Sequence, residues 1–390
     1  MLLSVNVIGC LVMVSVSWRG LWSWTATPGS FFGGDHEAYR AGAERLLASG
    51  SPYHAALADG PIPNHVGNVV FAYLYPPPLA QLFVGLRLVD PVALAWLAAA
   101  LQMVVLLVLA PLIYRRYGGG SSAVETVSTW LFVLASWPIH MALFGGNLSG
   151  WLAIAVALML VASGPVAAIS AVLAGVLKFT PMALVVLAIF YRPTRLATLV
   201  TLATVLVFSM VMDPSAWISW VSVLPNILRF PTGDSPANFA PAALLGSVGL
   251  GGLGLALSFA IAAVAAVASI WLSWKGLWAA AVAAGVAAIL YGSGSTWDHY
   301  LAPTIPLVLA AMPKATWAVR GVFAAFAVAT ALMWLGTVAL SDFARVAFLL
   351  VTMATSAVTI VTLASMTSGM RPGVADAAHG RFTPPVVPAT

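Results

Sequence analysis

Long apolar runs recur from one end of this chain to the other, and they limit the folds that it can adopt. The sequence is 62% hydrophobic and 7% charged, whereas soluble globular domains carry about 25% charged residues. A helix needs about 20 apolar residues to cross the hydrocarbon core of a bilayer. Lipid offers no partner to backbone polar groups, which leaves helices and closed barrels. The runs lack the alternation of barrel strands, so the sequence predicts an all-α polytopic membrane protein.

Charge and cysteine content narrow the functional classes. The net charge is +5, but the basic residues form no cluster, so no nucleic-acid partner is predicted. Cys10 is the only cysteine, which excludes an intrachain disulfide. No C-x-x-C or H-E-x-x-H pattern occurs, so we predict no metal site and no cofactor. Residues 2–24 lack the basic start of a signal peptide, and we interpret them as a retained helix, with cleavage as the alternative.

The basic residues order the predicted helices across the membrane, because loops rich in Lys and Arg stay in the cytoplasm. Helices are predicted over residues 2–24, 79–89, 91–114, 125–143, 148–161, 165–191, 196–212, 250–274, 277–291, 300–312, 316–340 and 344–364. The second is interfacial, and 165–191 is divided at Lys178 because Pro181 breaks helical hydrogen bonding. This gives about 12 crossings, with both ends in the cytoplasm. The chain is then one membrane domain, residues 1–368, with an extracytoplasmic loop at 25–78 and a disordered tail at 369–390.

The distinctive polar residues fall on one side of this predicted membrane. The outer side receives Asp35, His36, Glu37, Lys178, Asp234, Asp298 and His299. The inner loops carry little besides Arg, Lys and short turns. We therefore expect the protein to act on the outer face.

A helix over residues 36–49 is predicted in the outer loop. Its spacing places Tyr39, Ala43, Leu46 and Leu47 on one face and Arg40, Glu44 and Arg45 on the other. Gly50 is expected to end it. Asp35 suits two compatible roles, an N-cap and a general base, because a helix N-terminus favours an ionised carboxylate. The aromatic residues of 71–75, before three prolines, suit the membrane interface.

Several short motifs occur in an order typical of one family. They are Asp35 and Tyr39; Gly50, Ser51, Pro52 and Tyr53; Tyr75, Pro76 and Pro77; Gly146, Asn147, Leu148 and Ser149; and residues 175–181 around Lys178. In these motifs the sequence resembles glycosyltransferase family 87, membrane-embedded sugar transferases of the GT-C type, over about residues 25–303. Gly145 and Gly146 stand where the family often has Gly-Gln, and residues 297–300 match its late Trp/His motif less closely.

The resemblance implies an activity. Such enzymes take a sugar, commonly mannose, from polyprenyl phosphate and pass it to a lipid-linked or glycan acceptor outside the plasma membrane, often in an α-1,2 linkage. Asp35 matches the family's catalytic aspartate, and His299 its late histidine. We also predict substrate binding by Tyr39, Tyr75, Asn147 and Trp297, which stand in these motifs.

The residues themselves suit a single displacement that inverts the anomeric carbon. Asp35 would accept the proton of the acceptor hydroxyl. Lys178 would bind the phosphate, because a lysine near membrane depth is costly unless it is functional, paired or snorkelling. Arg229 and His299 are further phosphate candidates, although Arg229 equally suits a headgroup anchor and His299 a hydrogen-bonded loop residue. A phosphate carrier requires no metal, so we expect metal-independent transfer.

Other classes stay open at this point. A lipid or solute transporter would also have broken helices and an intramembrane lysine, but transporters often carry internal repeats and none is visible here. A structural membrane protein would not explain why Asp35, Lys178 and His299 fall on one side. Within the enzyme class, arabinofuranose on the same carrier is the alternative to mannose.

Overall fold

The computed structural model describes residues 33–60, 73–162, 164–228, 238–292, 296–335 and 342–368. The first half contains α1 (Gly34–Ser49), α2 (Ala56–Asp59), α3 (Pro77–Leu86), α4 (Pro91–Arg116), α5 (Ala123–Leu134), α6 (Trp137–Gly145), α7 (Leu148–Val161), α8 (Pro165–Leu177) and α9 (Met182–Phe190). The second half contains α10 (Arg192–Met212), α11 (Pro214–Leu228), α12 (Pro241–Gly246), α13 (Gly251–Trp274), α14 (Trp278–Gly292), α15 (Thr304–Ala311), α16 (Trp317–Leu335) and α17 (Asp342–Ser368). Short 3-10 turns, Asp298–Leu301 and Met312–Lys314, flank α15. These ranges contain no strand, which confirms the all-α prediction for them.

Within the described ranges, four helices are long and apolar enough to cross a membrane. They are α4, α10, α13 and the part of α17 over Ala344–Met366. The pair α5 and α6, bent by 53°, passes the same test as one unit and gives at most five. Over the described ranges a helical membrane protein is confirmed, but the predicted number of crossings is not. Two predicted segments, residues 2–24 and 369–390, lie outside those ranges.

The predicted break at Lys178 is confirmed. α8 ends at Leu177, Lys178 has an extended backbone with φ −138°, and α9 begins at Met182. Pro181 directly precedes α9, where its missing N–H costs no helical hydrogen bond. Two short apolar helices therefore meet at a turn that contains a lysine. The next helix back, α7, has the predicted bounds, Leu148–Val161.

Two predicted segments are divided differently in the structure. The helix predicted over residues 125–143 is two helices, α5 and α6, which separate at Ala135 and Ser136. Pro138 explains this division, because proline is tolerated in the first turn of a helix, where α6 has it, but not in the interior. The stretch at 213–241, expected to be an external connection, contains α11.

The apolar core of the described residues has two large parts and a small third cluster of Val172, Val176 and Val185. The larger part surrounds α14, an Ala-rich helix that is buried on nearly all sides. Small residues allow such close packing of helices: a Cβ at Gly285 would lie 2.8 Å from Leu187 Cδ2. The smaller part, which we call the outer cap, joins α1, α2 and α3 to α11. It includes Tyr39, Tyr53, Tyr73 and Phe83. The described part of the predicted outer loop is therefore a packed unit.

Candidate active site

Asp35 lies in the first turn of α1, but it is not the N-cap residue that the sequence predicted. Gly33 is the N-cap, with φ 72°, and its N–H donates to the Phe144 carbonyl at 2.8 Å. A Cβ at Gly33 would lie 2.8 Å from the Cβ of Ala95 on α4. Close packing and the left-handed backbone thus both favour glycine at this position. The Asp35 side chain is left available for a contact outside its own helix.

The predicted faces of α1 are largely confirmed. Tyr39, Ala43 and Leu46 are buried, whereas Leu47 is 55% exposed, so its assignment to the buried face was wrong. Arg45, predicted on the polar face, is half-buried, and its Nε donates to the Pro52 carbonyl at 2.9 Å. The chain turns back on itself after α1 and brings Pro52 to Arg45, which explains the partial burial of that arginine. Gly50 ends the helix in the left-handed region, with φ 71° and its N–H bonded to the Leu46 carbonyl.

The Asn147 side chain connects Asp35 to Lys178. Its Nδ2 donates to the Asp35 carboxylate, 112 positions away in the chain. Its Oδ1 accepts hydrogen bonds from the Ser149 N–H at 2.8 Å, the Ser149 hydroxyl at 2.7 Å and Lys178 Nζ at 3.2 Å. The same oxygen caps α7, because Asn147 is the N-cap residue of that helix. We call Asp35, Asn147 and Lys178 the Asn147 bridge.

Lys178 is buried, with 8% of its surface exposed. Besides Asn147, its Nζ donates to the Ser149 hydroxyl at 3.2 Å. The ammonium also lies 4.0 Å from the ring centroid of Tyr300, a cation–π arrangement. Burial of an ammonium is costly unless polar groups solvate it. Here two side-chain oxygens and one aromatic face do so.

Two tyrosines, the buried Tyr39 and the partly buried Tyr75, line the Asp35 end of the site. Tyr39 and Tyr75 are in edge-to-face contact with ring centroids 5.0 Å apart. Burial, followed by the phenol of Tyr75 and the carboxylate of Asp35, raises the pKa of Tyr39 well above its usual range. Burial and then the Asp35 charge do the same to the pKa of Tyr75. Both phenols therefore stay protonated and able to donate hydrogen bonds.

Two further tyrosines position Tyr75, a role that sequence reasoning missed. The Tyr53 hydroxyl donates to the Tyr75 carbonyl at 2.9 Å. The Tyr73 hydroxyl donates to the Pro76 carbonyl at 2.5 Å and accepts from the Ala80 N–H at 2.8 Å. Tyr73 is fully buried, so it does not occupy the interfacial position expected of these aromatics. The motif around Tyr53 thus has a structural role.

A row of rings continues from Lys178. The 3-10 turn Asp298–Leu301 places His299 in edge-to-face contact with Tyr300 at 4.6 Å, and Trp297 stacks beside His299 at 6.3 Å. Tyr300 is the member that contacts Lys178. The sequence had singled out Trp297 and His299 but assigned no role to Tyr300. Arg229, the other predicted phosphate candidate, lies outside the described residues.

His36 lies beside the bridge and explains a glycine in the Asn147 motif. Its ring is buried against Gly146, where a Cβ would lie 2.9 Å from His36 Cδ2. Gly146 also has φ 66°, so both the close approach of the His36 ring and the left-handed backbone favour glycine there. Burial lowers the pKa of His36, and the opposing effect of Asp35 is smaller. The ring is therefore neutral near pH 7.

Metal ligands do not cluster in the described part of the chain: no three His, Cys, Asp or Glu side chains gather there in a suitable arrangement. The expectation of metal-independent chemistry stays a prediction. The polar groups at the bridge are instead one carboxylate, one amide, one ammonium and several hydroxyls, which suit proton acceptance at one end and anion binding at the other.

Comparison with known proteins identifies the family. The model of glycosyltransferase family 87 matches residues 73–297. The match includes Tyr75, Asn147, Lys178 and Trp297, while Asp35 precedes it. No curated protein and no solved structure matches the chain. The matched segment is more than half of the sequence and contains three motifs of the site described above. The chain therefore belongs to glycosyltransferase family 87.

Proposed function

We propose that this membrane glycosyltransferase takes a sugar, with mannose as first choice, from a polyprenyl-phosphate donor. It passes the sugar to a lipid-linked or envelope glycan acceptor at the outer face of the plasma membrane. The observation that carries the proposal is the Asn147 bridge, in which one amide contacts a carboxylate and a buried ammonium. A base and an anion site at such close range are what displacement of a sugar from a phosphate needs.

The proposed reaction is a single displacement. The acceptor hydroxyl oxygen forms a bond to the anomeric carbon as the bond from that carbon to the phosphate oxygen breaks. Asp35 accepts the hydroxyl proton, and the electron pair of the broken bond leaves on polyprenyl phosphate. The configuration inverts, so a β-linked donor gives an α product, with an α-1,2 linkage as the family resemblance implies.

Lys178 is the proposed phosphate ligand. Its ammonium adds to the positive end of α7, a helix of 14 residues that begins next to Asn147. The protonated phenols of Tyr39 and Tyr75 are proposed donors to the sugar or phosphate. Asn147 makes four contacts to protein groups, which favours a positioning role over direct substrate binding. No metal is needed in this scheme, because Lys178 neutralises the leaving phosphate.

The outer-face location rests on charge. Arg115 and Arg116 lie in the last turn of α4, and Lys275 directly follows α13, which favours a cytoplasmic position for these two helix ends. With the short apolar helices counted as spans, we propose the topology predicted from the sequence, with about 12 crossings.

His299 and Trp297 are proposed to form one wall of the donor site, next to Tyr300.

The test is transfer of label from radiolabelled polyprenyl-phosphate-mannose, with membranes that contain the protein and a total envelope lipid and glycan extract. Asp35→Asn is compared with Glu37→Gln, since Glu37 is an exposed acid of the same helical turn. We expect transfer by wild type and Glu37→Gln and its loss in Asp35→Asn. Transfer that survives in Asp35→Asn would refute the assigned base. Transfer from polyprenyl-phosphate-arabinose alone would change the sugar, and failure with both donors would favour a transporter.

A further inference from the structure

Arg345 is a buried arginine that the proposed reaction does not use. It lies in the first turn of α17 with 7% of its surface exposed. Its Nη2 donates to the backbone carbonyl of Asn238 at 2.6 Å. One turn further along α17, the Phe348 ring packs edge-to-face on Phe239 at 4.7 Å. Two neighbouring contacts thus attach the start of α17 to residues 238–239.

Residues 238–239 are in turn attached to the segment that precedes the late Trp/His motif. Asn238 Oδ1 accepts the Thr296 N–H at 2.9 Å, and the Phe239 N–H donates to the Thr296 carbonyl at 3.0 Å. The Thr296 hydroxyl donates to the Leu290 carbonyl at 2.6 Å. Thr296 is therefore fixed on both sides, by residues 238–239 and by the end of α14.

The chain of contacts ends at the phosphate site. Trp297 directly follows Thr296, and its carbonyl accepts the Tyr300 N–H at 2.9 Å. Tyr300 presents the ring that lies 4.0 Å from Lys178 Nζ. A displacement of Thr296 would therefore move both the ring over the lysine and the two rings beside it.

We infer that Arg345 is a positioning residue for the donor phosphate site, acting through Asn238 and Thr296 on Tyr300. The expected effect on donor binding rests on the proposed function, whereas the coupling of Arg345 to Tyr300 does not. A buried guanidinium is costly unless it is hydrogen-bonded, so its contact with a backbone carbonyl restrains that carbonyl strongly. Arg345→Gln shortens the side chain and removes the charge, which frees residues 238–239 to move.

The first test needs no substrate. Thr296→Cys, in a Cys10→Ser background, places a thiol at a buried position of the connection. We expect a membrane-permeant maleimide to label it at least about tenfold faster when Arg345→Gln is added, the labelling rate following the population of the opened segment. Arg320→Gln is the control for loss of an arginine at another place, because the Nε of this more exposed arginine also donates to a backbone carbonyl, that of Ala315 at 3.1 Å. An unchanged labelling rate, or equal acceleration by both arginine variants, would overturn the inference.

The second test is kinetic. We expect Arg345→Gln to raise the donor KM about tenfold or more, with partial rescue in Arg345→Lys, which retains a donor and the charge. In a double-mutant cycle with Tyr300→Leu, the two effects should not multiply, because both act on one contact with Lys178. Independent, multiplicative effects would refute the connection. Asn238→Ala interrupts the same chain from its other side and should reproduce the phenotype if Arg345→Gln fails to accumulate.

The two tests separate the inference from the proposed function. Faster thiol labelling without transfer by wild type from any polyprenyl-phosphate sugar would refute the transferase chemistry and leave the structural coupling in place. Normal transfer with unchanged labelling would refute the role of Arg345 and leave the transferase in place.

Discussion

Asn147→Asp tests whether the amide at the centre of the bridge is needed for Asp35 to act as the proposed base. The substitution changes little in shape, and the oxygen that caps α7 and accepts Lys178 Nζ at 3.2 Å is retained. The Nδ2 donor, however, is replaced by a second carboxylate oxygen that faces Asp35. Two like charges then share a site that holds a hydrogen bond in the wild type.

The size of the effect follows from this geometry. Two unit charges about 3 Å apart repel by roughly 5 kcal/mol at an effective dielectric constant of 20. The pair avoids this repulsion by retaining one proton to a higher pH. Lys178 stabilises the new carboxylate through its contact with the retained oxygen, so we expect the shared proton on the Asp35 side, where it would block the proposed base. We expect the acid limb of kcat/KM to move upward by about one to three pH units.

The assay is transfer from the labelled donor between about pH 5.5 and 9.5, each variant expressed as a ratio to wild type at the same pH. At pH 7 the Asn147→Asp ratio should be below about one tenth, and it should recover as the pH rises. Asn147→Ala removes the same contacts without adding charge, at a cost of roughly 1.5–3 kcal/mol for each hydrogen bond to a charged group. Its ratio should be low at every pH. A ratio for Asn147→Asp that does not change with pH would refute the reasoning.

Three further predictions concern stability, measured as thermal unfolding midpoints of the purified protein in detergent. Gly146→Ala should lower the midpoint, because a left-handed backbone costs a non-glycine residue roughly 1–2 kcal/mol and the new Cβ would lie 2.9 Å from the His36 ring; an unchanged midpoint would contradict this. Gly42→Ala places a Cβ 2.5 Å from Tyr73 Cδ2 and should cost about 1–3 kcal/mol, whereas Gly85→Ala meets nothing within 4 Å and should be neutral or stabilising. Burial lowers the pKa of His36 below 6.5, so at acidic pH the unfolded state binds more protons than the folded state, and the unfolding midpoint should fall as the pH drops below about 6.5. His36→Gln should make the midpoint less dependent on pH. The same dependence of the midpoint on pH in both proteins would exclude His36 as its cause.

Local rules predicted those parts of the structure that depend on neighbouring residues. Pro181 alone is enough to predict the break at Lys178, and Gly50 the end of α1. The distribution of Lys and Arg among the loops predicted that Asp35 and Lys178 lie on the same side of the membrane. Each of these predictions depends on a few adjacent residues or on the number of basic residues in each loop.

The remainder depends on contacts between distant parts of the chain. Asp35 was expected to cap its own helix, but Ala95 on another helix leaves room only for glycine at the cap position. Leu47 satisfied the helical spacing and is nevertheless exposed, because spacing does not say how wide the packed face is. Asn147 was recognised in a motif, yet no rule of sequence separation indicates that its two ends contact residues 112 and 31 positions away.

The outer cap has a consequence for the order of events during biosynthesis. Ser215 donates to the Gly50 carbonyl across 165 positions, and Asn226 donates to the Leu57 carbonyl across 169 positions. The ribosome must therefore produce α11 before the part of the chain that contains Asp35 can complete its packing. Contacts with such high sequence separation form late, after a large loop-closure entropy has been overcome. If Asp35 is the base, as we propose, we expect the nascent chain to be inactive through more than half of its synthesis, because α11 must be made before Asp35 reaches its final position.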